Sequence, residues 1–377
     1  MRILHVSDVY RPRVGGIEMF VEDVAARQAA AGLDVSVLTT TPDPAGTVLP
    51  GVTILRSQGA LPGPMPFLPG RGLLDVSSYD VVHVHLSVAS PFSTRVAKAA
   101  VASGIPTIAT VHSMWGGRES WVRLIGALAG WSRWPVVWTA VSAAAAAGMQ
   151  GVLGADTPVH VVPNAVEVPW WREREPVHDP ERPVTFVSVM RLAGRKRPIP
   201  LLEVLARTRR AVPADVPMRA LIVGEGPLDH SMRTHMGRLG IADWVEMTGR
   251  LSREEIREVY RSADGFVAPS YQESFGIAAL EARAAGLPVV AMRSGGVGEF
   301  IEHGVEGLLC HDDEEMVQAL GTLTTDSAVL EEMLRHNRSH APALDWQQAL
   351  DGFAAAYAVA DQSITVGASP RRAAQRH

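Results

Sequence analysis

Pro269-Ser-Tyr-Gln-Glu273-Ser-Phe-Gly-Ile-Ala-Ala-Leu-Glu281-Ala-Arg-Ala-Ala-Gly286-Leu-Pro-Val-Val290 is the stretch that decides the fold. It reads as a strand ending near Pro269, a loop carrying Glu273, a helix opened by Gly276 and a new strand from Pro288. The unbonded N–H groups of that helix start, from Phe275 through Gly276 and Ile277 to Ala278, form a site for phosphate. Glu281 falls about one and a half turns into the helix. A glutamate in an Ala/Leu-rich helix is expected to face something polar, although taken alone a solvent-facing glutamate is the commoner case.

The same alternation continues outward. Strands are predicted at Val184–Val189, Met218–Val223, Val245–Thr248, Gly265–Ala268 and Pro288–Ala291, with helices such as Arg253–Ser262 and Gly276–Ala285 between them. An earlier series runs Ile3–Ser7, Val35–Thr39, Val81–Leu86, Pro106–Val111, Val136–Val141 and His160–Val162, with helices over Gly16–Ala31 and Pro91–Ala102. Between Pro163 and Pro183 the pattern breaks: Trp170 and Trp171 precede Arg172-Glu-Arg-Glu-Pro176, the composition of a linker. The chain's 377 residues exceed one ordinary core. The expected division is a domain over 1–170, a linker over 171–182, a second domain over 183–344, a helix over 345–361 returning to the first domain, and a disordered tail over 362–377. The fold class is α/β, with two doubly wound, Rossmann-like domains and a ligand cleft where they face each other.

Composition excludes several functions. Hydrophobic residues are 47% and charged residues 20% of the chain, which is ordinary for a globular protein and not for a disordered one. The single cysteine, Cys310, excludes an internal disulfide framework and a cysteine-based zinc site. Met1-Arg-Ile-Leu-His-Val-Ser-Asp8 reaches an acid before a signal-peptide core forms, and no run approaches the roughly 20 apolar residues of a membrane span. A cytoplasmic location is expected, and the net charge of −5 argues against nucleic acid as the main partner. Of 35 basic residues only Lys98 and Lys196 are lysine. Lys196, in Arg191-Leu-Ala-Gly-Arg-Lys196-Arg197, stands where arginine would serve as any ordinary cation, so a functional reading competes with that of a solvated loop cation.

Together these residues resemble the retaining glycosyltransferases of family four with the GT-B fold, among them phosphatidylinositol mannosyltransferases and related N-acetylglucosaminyltransferases. The Glu273-x7-Glu281 block carries the resemblance most specifically. Met190-Arg191 with Lys196 is similar to the family's strand-end Gly-Arg…Lys element, and Val223-Gly-Glu-Gly-Pro227 matches its Val-Gly-x-Gly-Pro turn. Gly15-Gly16 matches the glycine loop after the first strand, His112 the histidine ending a later strand, and Val162-Pro-Asn164-Ala165 the Pro-Asn-Gly element. Gly295-Gly296…Glu299 and Gly304…Gly307 resemble the closing segment. Two positions depart from the pattern: Ala165 and Met190 replace glycines, which bears on loop shape and leaves the charged set intact.

The resemblance implies a retaining transfer of a hexose or N-acetylhexosamine from a nucleotide-diphosphate sugar to a hydroxyl of a small polar acceptor. A uridine donor is the first expectation and a guanosine donor the second. Arg191, Lys196 and the amides at Phe275, Gly276 and Ile277 would neutralise the leaving diphosphate. Glu273 would bind donor-sugar hydroxyls and Glu281 the ribose. His112 would hydrogen-bond the donor sugar, and Gly15 and Gly16 would border donor and acceptor. No cofactor or metal is expected, since the chain has no Asp-x-Asp tripeptide and Asp312-Asp313 reads as a helix cap.

On the acceptor side, Trp115, Trp121, Trp131, Trp134 and Trp138 cluster with Arg118, Arg123 and Arg133. They could dip into a membrane interface, wall a pocket or pack as core. A membrane-associated enzyme acting on a lipid acceptor is therefore the alternative function, and a GT-B nucleotide-sugar epimerase a further one.

Overall fold

The structure, a computed structural model, describes residues 1–13, 15–57, 75–115, 117, 119–172 and 182–367. The chain divides into two compact units, one of Met1–Asn164 with Gln347–His377 and one of Ala165–Trp346.

In the first unit β1 (Arg2–Ser7), β2 (Asp34–Thr39), β3 (Val52–Arg56), β4 (Val81–Leu86), β5 (Thr107–Val111), β6 (Val136–Ala140) and β7 (Val159–Val161) form one parallel sheet in the order β3-β2-β1-β4-β5-β6-β7. Its central strands are covered on both faces, and β4 is buried along its whole length. The helices Gly16–Ala30 and Pro91–Ala102 make two of the crossovers. Register pairs His5 with His83, and His85 with Thr110. Because side chains alternate faces along a strand, His5, His83, His85 and Thr110 share one face of the sheet.

In the second unit β8 (Val184–Val189), β9 (Met218–Val223), β10 (Val245–Gly249), β11 (Gly265–Ala268), β12 (Val289–Met292) and β13 (Gly307–Cys310) form a parallel sheet in the order β10-β9-β8-β11-β12-β13. Each sheet reverses its winding once, between β1 and β4 and between β8 and β11. Those are the points where open α/β sheets leave a crevice at their carboxyl ends.

The structure departs from the sequence reading at several places, and residues 165–170, expected in the first domain, belong to the second unit. The edge strands β3 and β13 were not expected. Trp171 and Arg172, expected in the linker, belong to the helix Val168–Arg172, where Trp171 is buried and the Arg172 guanidinium donates to the carbonyls of Ala284, Asn337 and Arg338. The rest of the expected linker, residues 173–181, lies outside the described residues. The last helix runs Trp346–Gly367, so the first six residues of the expected tail are helical. Residues 368–377 of that tail lie outside the described residues. Phe353, Tyr357 and Ala360 of this helix are buried in the first unit. Among the described residues no helix is long and apolar enough to cross a membrane.

Candidate active site

The loops leaving β8, β9, β11 and β12 all emerge at the carboxyl edge of the second sheet, because the strands are parallel. Arg191 stands two residues beyond β8 and is exposed. Its loop is laced to the Val223-Gly-Glu-Gly-Pro227 turn: Met190 N–H donates to Val223 O at 3.0 Å and Leu192 N–H to Glu225 O at 3.0 Å. Gly224 (φ +133°) makes this approach possible, since a Cβ there would lie 1.9 Å from the Met190 carbonyl oxygen. The backbone freedom that the lacing requires resides at Gly224, and Met190 in the glycine's place leaves the hydrogen bonds intact.

Lys196 ends a short 3-10 turn, Gly194–Lys196, and the next residue anchors it. Arg197 adopts a left-handed conformation (φ 55°), costly for a residue with a side chain. Its guanidinium offsets that cost by bonding Asp313 at 2.8 and 2.7 Å and Pro269 O at 2.9 Å, and by lying 4.3 Å from the centre of the Tyr271 ring. The adjacent Asp312 caps the next helix by accepting from Glu315 N–H at 2.9 Å. The turn thus presents Lys196 to Glu273 across the winding reversal, with Nζ 2.5 Å from Oε2.

Glu273 is itself held by the loop after β12. Gly296 N–H donates to Glu273 O at 2.8 Å, and a Cβ on Gly295 or Gly296 would come within 2.8 Å of Glu273 O or 2.5 Å of Ser274 O respectively. Phe275 is buried beneath, and Gly276 takes a left-handed conformation (φ 95°) as the cap of the helix Ile277–Ala284. The first intrahelical bond runs from Leu280 N–H to Gly276 O, so the amides of Ile277 and Ala278 precede any intrahelical acceptor. Glu281, inside this helix, is 5% exposed. It faces Arg253, whose Nη2 lies 3.5 Å from Oε1. Arg253 opens a helix capped by Ser252 and Glu255, and the sequence reading did not connect it with Glu281. Two cations and a helix start beside the reversal point fit a diphosphate, and two carboxylates fit sugar or ribose hydroxyls.

The other expected residues, Gly15, Gly16 and His112, belong to the first unit. Gly15 caps the helix that Gly16 begins; a Cβ on it would lie 2.6 Å from Glu18 Oε2, which is buried and paired with Arg13. His112 follows β5, its N–H donating to Leu86 O at 2.9 Å. His112 is one of a group of buried histidines. His112 Nε2 lies 3.0 Å from His85 Nδ1, and His85 Nε2 lies 3.0 Å from His5 Nδ1. Burial lowers His5 to about 4 and His112 to about 3 from the ordinary 6.5. It also lowers His83 and His85 well below that value, helped by the neighbouring imidazoles. The sequence signal was Val81-Val-His-Val-His-Leu86, since alternate histidines are foreign to an otherwise apolar buried strand.

The tryptophan cluster separates into different fates. Trp115 and Trp138 are core, Trp131 and Trp134 are half-buried, and Trp121 is 70% exposed. Arg118 lies outside the described residues. On the helix Glu119–Ala129, Val122 and Gly126 face inward, while Trp121, Leu124, Ile125 and Leu128 form an exposed apolar stripe at helical spacing.

Comparison with known proteins agrees with this architecture. The family model described as Glycosyltransferase Family 4 matches residues 14–169, and that described as Glycosyl transferases group 1 matches residues 171–340. A D-inositol 3-phosphate glycosyltransferase of Thermobifida fusca is 27% identical over 94% of this chain and 91% of its own length. Another, from Stackebrandtia nassauensis, is 36% identical over 49% of this chain and 44% of its own. Among solved structures, Anabaena HepE in complex with UDP and glucose superposes with a TM-score of 0.74 at 20% identity, covering 95% of this chain and 99% of that one. Sucrose-phosphate synthase from Thermosynechococcus elongatus does so with a TM-score of 0.75 at 19% identity, covering 97% and 100%. With a family 4 match on the first unit, a group 1 match on the second and two doubly wound sheets between them, the chain belongs to the GT-B glycosyltransferases.

Proposed function

We propose that this glycosyltransferase moves a hexose or N-acetylhexosamine from a nucleotide-diphosphate sugar to a hydroxyl of a small polar acceptor, with retention at the anomeric carbon and without a metal. The observation that carries the reading is the Lys196–Glu273 pair at the winding reversal, beside Arg191 and the amides of Ile277 and Ala278. As the anomeric C–O bond breaks, negative charge gathers on the leaving diphosphate, and Arg191, Lys196 and the helix start oppose it. Glu273 and Glu281 take the roles of sugar and ribose acceptors. His112 hydrogen-bonds the donor sugar, and Gly15 and Gly16 border donor and acceptor. The UDP-glucose held by HepE supports a uridine donor, and the name of the curated relatives makes D-inositol 3-phosphate the first acceptor to try. The test is transfer by the purified protein from UDP-glucose, UDP-N-acetylglucosamine and GDP-mannose to D-inositol 3-phosphate, with the product's anomeric coupling read by NMR. An α-linked product supports the reading. A β-linked product overturns retention, and epimerised donor without transfer overturns the reaction class.

A second reading draws on the exposed stripe of Trp121, Leu124, Ile125 and Leu128, flanked by Arg123 and Arg133. An amphipathic face of this kind suits a bilayer interface, which would present a lipid-linked acceptor to the first unit.

A further inference from the structure

The two winding reversals carry opposite chemistry. In the second unit the helix start beside the reversal keeps the amides of Ile277 and Ala278 ahead of any intrahelical acceptor. In the first unit the helix Pro91–Ala102 follows β4, beside the loop that leaves β1, and its start already holds a carboxylate. Asp8, one residue beyond β1, accepts from Phe92 N–H at 3.0 Å with Oδ1. Its Oδ2 accepts from Ser93 N–H at 2.9 Å and from the Ser93 hydroxyl at 2.6 Å. The Asp8 carbonyl in turn accepts from the Thr40 hydroxyl at 3.0 Å, which ties the loop to the end of β2.

The donors of that first helical turn are all accounted for. Pro91 has no N–H, Phe92 and Ser93 give theirs to Asp8, and Thr94 N–H donates to Ser90 O at 3.0 Å. Ser90 stands at the capping position, yet its Oγ accepts from Ser87 N–H at 2.8 Å instead of from the helix. The cap comes from 84 and 85 positions away. A helix start favours a negative charge, and here the chain supplies that charge itself.

The cations of the same edge are engaged in the same way. Arg11 and Arg13, in the loop after β1, pair with Glu22 at 2.6 Å and Glu18 at 3.0 Å, and Arg56, which ends β3, pairs with Asp43 at 3.0 Å. Among the described residues of the loops that leave β1, β2 and β4 there is no other Arg or Lys.

We propose that Asp8 is a specificity-determining residue that fills the anion position at the first unit's winding reversal, so that the acceptor is an uncharged polyol or sugar where it enters that crevice. A phosphate or carboxylate at that end meets a fixed negative charge and a helix start with no donor left. This departs from the phosphorylated acceptor in the name of the curated relatives. The acceptor's class rests on the transfer reading above; the filled helix start does not.

The experiment follows the backbone amides of Phe92 and Ser93 by 1H–15N NMR of the full chain, without donor, as inorganic phosphate and then D-inositol 3-phosphate are added to millimolar concentration. In the wild type neither amide is expected to shift. In Asp8→Ala both are released, and both are expected to shift and saturate with either anion. Asp8→Asn, which keeps a capping oxygen and removes the charge, serves where Asp8→Ala fails to fold and is expected to show a response that the wild type lacks. Wild-type amides that respond to either anion, or folded variants whose amides do not, overturn the proposal. In transfer assays the wild type is expected to use myo-inositol in preference to D-inositol 3-phosphate. Asp8→Asn is expected to move the ratio of kcat/KM toward the phosphorylated acceptor by at least about fourfold, the Boltzmann factor of two unit charges roughly 5 Å apart in bulk water. A wild type that prefers the phosphorylated polyol also overturns the proposal. Transfer to neither acceptor counts against the reading of the reaction, and the amide shifts, read without donor, still decide the role of Asp8.

Discussion

Replacing Lys196 with alanine removes one cation from the diphosphate site and releases the Glu273 carboxylate it holds. With Nζ and Oε2 2.5 Å apart, the gross attraction is about 2–7 kcal/mol for an effective dielectric between roughly 80 and 20. Lys196 is 36% and Glu273 16% exposed, so desolvation and side-chain entropy reduce the net coupling to about 1–3 kcal/mol. In the transition state the loss is larger. A well-placed charge opposite a developing anion contributes about 3–4 kcal/mol, or roughly 100- to 1000-fold in turnover, and the released carboxylate adds repulsion. The assay is initial-rate transfer at saturating donor for Lys196→Ala and Lys196→Arg. Urea unfolding of Lys196→Ala, Glu273→Gln and the double variant then closes a thermodynamic cycle. Lys196→Arg is expected to recover only part of the activity, because a planar fork does not occupy the position of a compact ammonium. Near-normal turnover of Lys196→Ala refutes the site assignment. Stability effects that add to within about 0.3 kcal/mol refute the pair.

Gly224→Ala is expected to cost about 3 kcal/mol or more, from a positive φ and a Cβ on the Met190 carbonyl, and to lower the melting temperature; an unchanged melting temperature contradicts the lacing. Acid is expected to destabilise the first unit. His5 and His112 titrate near 4 and 3 when folded against 6.5 when unfolded, so the unfolded chain binds protons first and stability present above pH 6.5 drains away as pH falls toward those values. Between pH 6.5 and 5 each contributes a loss of roughly 2 kcal/mol, visible in urea midpoints, and a stability that rises over that window contradicts it. Trp121→Ser with Leu128→Ser should abolish co-sedimentation with anionic vesicles if the second reading holds, and a wild-type chain that never sediments removes that reading. Transfer is expected to persist in excess EDTA; loss restored by magnesium would show that Arg191 and Lys196 do not suffice.

How far the sequence discloses this molecule depends on the kind of signal. Largely apolar runs bounded by turn residues placed β4 and β8 at their observed limits, because a strand buried on both faces is mostly apolar even where it carries His83 and His85 or Thr185 and Ser188. β3 escaped because Val52-Thr-Ile-Leu-Arg56 is an edge strand, only partly buried, and such a strand needs no unbroken apolar run. β13 is, like β3, an edge strand, and it is only four residues long. In the candidate site, Glu273 and Lys196 stood out by local pattern and by the scarcity of lysine. The partners of Glu281 and of the turn that carries Lys196 were invisible, because Arg253 lies 28 positions from Glu281 and Asp313 lies 116 from Arg197. Gln28 and Tyr357 are 329 positions apart, so only the fold makes them neighbours.

The second unit is one unbroken run of chain, whereas the first is assembled from both ends. On a ribosome the order of completion is thus the reverse of the order of emergence. The early residues of the first unit wait with open places for Phe353, Tyr357 and Ala360 while the whole second unit is made. At ordinary elongation rates those roughly 180 residues take about 10–35 s. During that interval the nascent N-terminal sheet exposes the apolar surface that the last helix later covers, and it is the half of the nascent chain that calls for a chaperone. A chain that stops before residue 347 would release a second unit able to finish folding and a first unit that is not.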